Sequence, residues 1–215
     1  MQFNSQDGQD QFLENNIFKG FKNGIFVDVG AHDGMTINNT LFFEQNHNWS
    51  GINIEPILDV YSKLVLNRPN CINLNCAVND IDGPVEFILN EGYSEMISGI
   101  KSHFDDRHLS RLQNECETKG SISEIVKLDA LRLETILDLN NIKHINYLSI
   151  DVEGAEFAVI KSINFDKVFI DVIGFENNFD DVSLPIIDYL ISKGYIRCNH
   201  NCIDVFMVHN KSQFA

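Results

Sequence analysis

The chain is short of positive charge: 16 Lys and Arg stand against 31 Asp and Glu, a formal net charge of −15. Nucleic acids and anionic membrane surfaces are bound largely through neutralised phosphates, so neither is expected as a partner. Acidity favours a cationic or neutral ligand, and it also serves solubility. Long apolar runs are missing too. No stretch approaches the roughly 18 residues that span a bilayer. The opening "MQFNSQDGQDQF" lacks a basic region followed by an apolar one, so no signal peptide is expected and a cytoplasmic location is. The cysteines, Cys71, Cys76, Cys116, Cys198 and Cys202, are odd in number, which argues against a disulfide framework. "CNHNC" (198–202) lacks a second Cys pair of zinc-finger spacing and reads as reduced and structural. No internal repeat or low-complexity linker breaks the 215 residues, so one domain over 1–215 is expected.

What is present is a repeating strand–helix rhythm. "GIFVDVGAHDG" (24–34) reads as a buried strand ending in a glycine turn, and "MTINNTLFFEQN" has helical spacing at Ile37, Leu41 and Phe42. "SGINIEP" (50–56) is a second strand stopped by Pro56, followed by a helix with Ile57, Val60, Tyr61, Leu64 and Val65 on one face. "CINLNCAV" (71–78) is a third strand and "GPVEFILN" (83–90) another. Residues 91–124 break the rhythm: polar and charged, they read as an insertion or flap near a site. Strand and helix resume in "IVKLDALRLETILDLNN", in "INYLSID" with "GAEFAVIKSI", and in "KVFIDVIGFEN" with "SLPIIDYLISKG", the last closed by Gly194. "YIRCNHNCIDVFMVHN" reads as a hairpin. The pattern predicts an α/β fold, a mostly parallel seven-stranded Rossmann-like sheet with helices on both faces and an antiparallel C-terminal hairpin.

Ligands of open α/β sheets bind at the carboxyl ends of the strands. Those ends carry Asp28, Gly30, Asp33 and Gly34, then Glu55, then Asn79 and Asp80, then Asp151 and Glu153, then Glu176 and Asn177, with no Lys or Arg among them. That excludes a P-loop-type phosphate site. His32 and Met35 stand where a dinucleotide loop needs glycine, which disfavours NAD. A ligand with a ribose, an ammonium and a sulfonium suits these acids, and S-adenosylmethionine has all three. Loop N–H groups would take its carboxylate, Asp28 would meet its amino group and Glu55 its ribose diol. The backbone of Ala77 and Val78, with Asn79 and Asp80, would border the adenine.

The stretches "SQDGQDQFL" (5–13), "FVDVGAHDG" with "NNT" (26–40), "GINIEP" (51–56), "CAVND" (76–80), "VKLDAL" (126–131), "INYLSIDVEGAE" (145–156) and "FEN" (175–177) together resemble the FkbM-type methyltransferases, a branch of the class I S-adenosylmethionine-dependent fold. His32 departs from the family, which often has Asn there. The resemblance implies O-methylation of a hydroxyl on a sugar, glycan or other small natural product. It also implies that residues 1–22 cover the cofactor, with Gln9 or Asp10 near it, and it adds Asn39 of "NNT" to the cofactor-binding candidates.

Methyl transfer to an alcohol needs in-line alignment and a base for the hydroxyl proton. Strand alternation would put Asp151 and Glu153 on one face with Val152 turned away, and two close carboxylates raise a pKa toward neutrality. Asp151 or Glu153 is therefore the expected base, with His32 an alternative. Asp151 also counts among the cofactor-binding residues. A divalent metal on the Asp151–Glu153 pair stays open. Glu156, in the first turn of a helix, suits the helix dipole. Glu176, His103 and His108 are acceptor-binding candidates, with Tyr93 and Arg107 nearby in the 91–124 segment. A nicotinamide-dependent oxidoreductase and a non-catalytic binding domain on the same sheet remain the alternative readings.

Overall fold

The computed structural model describes residues 2–177, 180–199 and 204–215. His200 and Cys202 of the "CNHNC" segment lie outside the described residues. The main sheet has seven strands: β1 (Ile25–Val29), β2 (Ser50–Ile54), β3 (Ile72–Leu74), β8 (His144–Ile150), β9 (Phe169–Phe175), β10 (Tyr195–Arg197) and β11 (Val205–His209). The intervening strands β4 (Ala77–Val78), β5 (Gly83–Glu91), β6 (Gly99–Ile100) and β7 (Ile122–Leu131) belong to a second sheet. The main order is β10-β11-β9-β8-β1-β2-β3, all parallel but for β11, which runs antiparallel to both β9 and β10.

The central strands β1, β8 and β9 are buried on both sides after their first residue, as parallel strands covered by helices must be. On one side of the sheet, Val27, Val29, Ile52, Ile54, Leu148 and Ile173 pack with α5 (Leu133–Leu139), α6 (Glu156–Lys161) and α7 (Asp180–Ser192). On the other, Phe26, Tyr147, Val172 and Phe206 pack with Phe42 and Phe43 of α2 (Leu41–His47) and with Leu13 and Phe18. The last two lie in a π-helical stretch, Leu13–Phe18, that continues α1 (Gln9–Phe12). Each buried side chain of this size contributes about 1.5–3 kcal/mol.

Two expectations change. "CINLNCAV" is two strands, not one: Ile72–Leu74 stays beside β2, while Ala77–Val78 leaves to pair with β7. The helix expected from residue 35 begins only at Leu41, because Asp33 ties Met35 N and Thr36 N into a turn and Asn38 accepts from Thr40 N and Leu41 N. Residues 91–124, expected as an insertion or flap near a site, are built of regular elements. They form a short 3₁₀ turn (Gly92–Ile97), β6, a second turn (Lys101–His103) and α4 (Asp106–Lys119), whose N-cap Asp105 accepts from Arg107 N and His108 N. The second sheet, β4-β7-β5-β6, carries this segment over the strand ends.

Below the first loop lies a cation that no strand-end pattern announces. Arg68, just past α3 (Leu58–Asn67), is fully buried. Its guanidinium donates to Glu44, to Gly34 O and Asn38 Oδ1 (3.1 Å each) and to Thr40 Oγ1 (3.2 Å), and it lies 5.2 Å from the Phe26 ring centroid. Removing one partner of a buried ion network strands the others. Arg68→Met should therefore lower unfolding free energy by about 3–5 kcal/mol in chemical denaturation, and Arg68→Lys, lacking the planar fork, should recover only part of it.

Candidate functional site

The order of the sheet reverses between β1 and β8, so the loops after these strands diverge and leave a crevice. A cavity of about 480 Å³ opens there, between the strand ends and the segment 93–100. That volume suits a small-molecule ligand or cofactor.

The first wall is the loop after β1. Gly30 has φ +86°, and a Cβ there would stand 1.8 Å from Asp151 O, so glycine is needed for the two strand-end loops to touch. The N–H groups of Gly30 and Ala31 both go to Ile54 O (3.0 Å each), His32 N to Glu55 Oε2 (3.0 Å) and Gly34 N to Ala31 O (3.0 Å). These amides are spent on the fold, which corrects the expectation that they receive a ligand carboxylate. Asp33 and Gly34 do not line the cavity either: Asp33 holds its own turn, and Gly34 makes room for Arg68 and Leu64.

Asp28 does face the cavity, 3% exposed, with Oδ2 accepting from Asn38 (2.9 Å) and Thr40 (2.8 Å). Burial raises its pKa, against the opposing pull of Arg68 and these two donors. Oδ1 is left for a ligand cation. Asn39 also lines the cavity; its amide donates to Ser149 Oγ (3.4 Å), while its buried Oδ1 has no partner among the described residues. Glu55, at the end of β2, accepts from His32 N and from Ile57 N (2.8 Å), and burial pushes its pKa up to about 7. Each of its oxygens keeps a lone pair for a hydroxyl. Beyond it, Pro56, Ile57, Cys76, Ala77 and Val78 make an apolar slot. Asn79 and Asp80, expected to border it, do not line it: Asn79 is buried against His103 Nε2 (3.0 Å), and Asp80 is exposed.

The second wall is the turn after β8. Strand pairing ends at Ile150, so Asp151 and Glu153 do not share a strand face, and Val152 lines the cavity beside them. They converge because Glu153 adopts φ +52° and Gly154 φ +99°, a strained turn that swings the Glu153 side chain inward. Glu156 Oε1 fixes that turn by accepting from Gly154 N (3.0 Å) and Val152 N (3.4 Å); this, more than the helix dipole, is its structural work. Glu176, whose N–H donates to Ile150 O (3.3 Å), completes the group from the end of β9. Asp151 is exposed, its side chain open to the cavity. Desolvation, then Glu176, Glu156 and Asp28, hold its pKa well above the usual carboxylate range. Burial, then Glu176 and Asp151, lift Glu153 to about 9.

The roof comes from the 91–124 segment. Glu95 Oε1 lies 3.0 Å from His32 Nε2, so the imidazole is engaged in holding roof to loop. Arg111 and Glu115, paired at 3.1 Å, reach the cavity from α4. His103 and His108 do not: both pack behind the turn at Gly154, His108 against Asp105 (2.9 Å). Arg107 is bound to Asp105 and Asp181 on the surface. Of the N-terminal segment, Gln6 is the residue that lines the cavity, rather than Gln9 or Asp10. Asp10 is buried, accepting from Asn4 N, Ser5 Oγ and Gln11 N.

A sheet of this order, with acids suited to a ribose and an ammonium at the strand reversal, defines the class I S-adenosylmethionine-dependent methyltransferase fold. Residues 28–197 match the Methyltransferase FkbM domain, and the chain belongs to that family. The fold is shared with the methyltransferase FkbM of Methylobacillus flagellatus KT, at 14% identity and a TM-score of 0.53 over 86% of this chain. This chain spans 43% of that protein. It is shared as well with the fibrillarin of Aeropyrum pernix, solved with natively bound S-adenosyl-L-methionine, at 10% identity and a TM-score of 0.51 over 88% of this chain and 68% of that one. No curated protein sequence is significantly similar.

Glu55 provides a test of the site's electrostatics in the cofactor-free protein. A carboxyl whose folded pKa is raised from 4.5 to about 7 binds its proton better in the folded state, so stability falls as pH rises through that window. Glu55 should make the protein less stable at pH 8 than at pH 4.5 by on the order of 2–3 kcal/mol. The difference between wild-type and Glu55→Gln denaturation free energies, followed from pH 4.5 to 8, should show that slope and level off above pH 7.

Proposed function

We propose that this chain transfers a methyl group from S-adenosylmethionine to a hydroxyl of a sugar, glycan or other small natural product. The observation that carries the reading is the convergence of Asp151, Glu153 and Glu176 at one end of the cavity whose other end offers the Asp28, Asn39 and Glu55 set. The lining supports the reading: Glu55 would take the ribose diol, the apolar slot at Ile57 and Ala77–Val78 the adenine, and Asp28 Oδ1 with Asn39 Oδ1, unpartnered among the described residues, the ammonium. Side-chain amides of Asn39 and Gln6 are the donors at hand for the carboxylate, in place of the loop N–H groups. The cofactor supplies an electrophilic methyl group on a positively charged sulfur.

The protein's own part is alignment and proton handling. Asp151 and Glu153 stand where an acceptor hydroxyl would enter, and either can accept its proton once ionised. In the ligand-free cavity both hold protons tightly, so a positive charge entering beside them does double duty: it is attracted, and it shifts the carboxyls toward the basic form. The electrostatics thus couple base activation to ligand entry. Removing a positioned general base typically costs 10²–10⁴-fold in rate.

The test is incubation with methyl-labelled cofactor and a panel of mono- and oligosaccharides and small phenolic or polyketide-like alcohols, read by mass spectrometry. Asp151→Asn or Glu153→Gln should lower turnover by about 10²–10⁴-fold while calorimetric cofactor affinity changes only severalfold. Near wild-type turnover in both variants would show that neither acid is the base.

A further inference from the structure

The three acids at the acceptor end are closer together than proton acceptance requires. One carboxylate oxygen from each of Asp151, Glu153 and Glu176 lies within 4.8 Å of the other two. A second observation is independent of that clustering. Glu153 is only 9% exposed, and its Oε2 is buried without a hydrogen-bond partner among the described residues. A buried carboxyl oxygen left unpaired is costly, and beside two further acids in an open cavity a bound ion accounts for it. The cation that bears most directly on Glu153 is Arg111, and its Nε is already committed to Glu115 at 3.1 Å.

We propose that Asp151, Glu153 and Glu176 form a binding site for one divalent, oxygen-preferring cation of the magnesium, manganese or calcium class. The donor set is all carboxylate, without thiolate or imidazole, which selects hard ions over zinc or copper. Two oxygens opposite each other across an ion with bonds of about 2.4 Å stand about 4.8 Å apart, and adjacent ones about 3.4 Å, so the observed spacing accepts such an ion with side-chain adjustment alone. The ligands come from two strand ends and one strained turn, which hold them in place before the ion arrives. Three protein ligands leave three or more positions of a six- to eight-coordinate ion facing the cavity. Two neighbouring hydroxyls of a sugar fill such positions as well as water does. The site would therefore favour an acceptor with a vicinal diol over an isolated alcohol. A carboxylate has two oxygens, so ligation leaves one free for a hydroxyl proton.

The acceptor preference rests on the proposed O-methylation, whereas the cation site does not. The full-length, cofactor-free chain is titrated with Mn²⁺, free ion being read by electron paramagnetic resonance, with Mg²⁺ and Ca²⁺ as competitors. One Mn²⁺ per chain is expected, with affinity at least tenfold weaker in Glu153→Gln and Glu176→Gln and within twofold of wild type in Glu124→Gln, which removes an exposed acid on β7 outside the cavity. Mn²⁺ broadening of the methyl resonances of Ile150, Val152 and Ala155 in the wild-type protein locates the ion without any variant. No stoichiometric binding, or binding that neither cluster variant weakens, overturns the site. Methyl-transfer assays on the same samples separate the two readings. Mn²⁺ binding without transfer to any hydroxyl upholds the site and defeats the O-methylation; transfer without Mn²⁺ binding defeats the site alone.

Discussion

The buried guanidinium of Arg68 is the interaction on which the cofactor side of the cleft depends. In a chain so poor in cations, one is placed where no water reaches it. It is satisfied by Glu44, Gly34 O, Asn38 and Thr40, and two of these partners, Asn38 and Thr40, also hydrogen-bond Asp28. Arg68 thus shapes the loop after β1 from behind. It fixes the turn at Gly34, orients Asn38 to cap α2, and lends positive potential to the carboxylate at the end of β1. A hydrophobic replacement could fill the same volume, and buried ion pairs are often no more stabilising than such replacements. What it could not do is hold the stretch from Gly34 to Glu44 in one geometry by direction-specific bonds at four of its residues.

That arrangement leaves a cavity whose electrostatics are deliberately unbalanced. Glu55, Asp151 and Glu153 all sit above ordinary carboxylate pKa values, and in each case desolvation is the leading cause. Such groups work against the stability of the ligand-free chain near neutral pH. The same imbalance is an affinity for positive charge, because each cation that enters releases a proton or cancels a repulsion. The negative composition noticed first in the sequence therefore has two parts. Much of it is a solvated surface, and a smaller share is concentrated at strand ends, where it selects a ligand.

The strands of the main sheet were legible because parallel, doubly buried strands read as continuous apolar runs, as in "INYLSI" and "VFIDVIGF". Asp28, Glu55, Asp151, Glu153 and Glu176 were legible because their positions follow from where those runs stop. The rest was lost for identifiable reasons. The break between Leu74 and Ala77 holds a single turn residue, Asn75, inside what otherwise reads as one apolar run; the change of sheet is imposed by pairing with β7, a distant strand. Arg68 follows an amphipathic helix in "LNRPN", where a basic residue reads as a solvated helix end. His103 and His108 looked like ligand-binding residues by type, but the turn Lys101–His103 aims the His103 ring at Asn79, and α4 places His108 behind the Gly154 turn. Arg111, one helical turn on from His108 with its guanidinium toward the cavity, was the residue of that helix to choose, yet only the placement of α4 over the strand ends distinguishes it.

Floor and roof of the cleft are made by different means, and this bears on how an acceptor is chosen. The floor is built from strand ends whose positions are locked by ladders on both sides, so its geometry is the more rigid part of the site. The roof hangs from the second sheet through the short β5–β6 pairing and Asn90 Nδ2 to Ile97 O (2.8 Å), and is otherwise held by Ser98 Oγ to Glu95 O (2.7 Å), Ser94 Oγ to Glu115 (2.6 Å) and the His32–Glu95 contact. Between these ties it exposes Tyr93 and Met96, two large apolar side chains on the rim. An aromatic ring and a flexible thioether beside a hydrogen-bonding floor form an amphipathic entrance, suited to a molecule with one apolar and one polar side. The floor sets which reaction is possible, by where the carboxylates stand. The roof, with fewer constraints on its shape, sets which molecule reaches them.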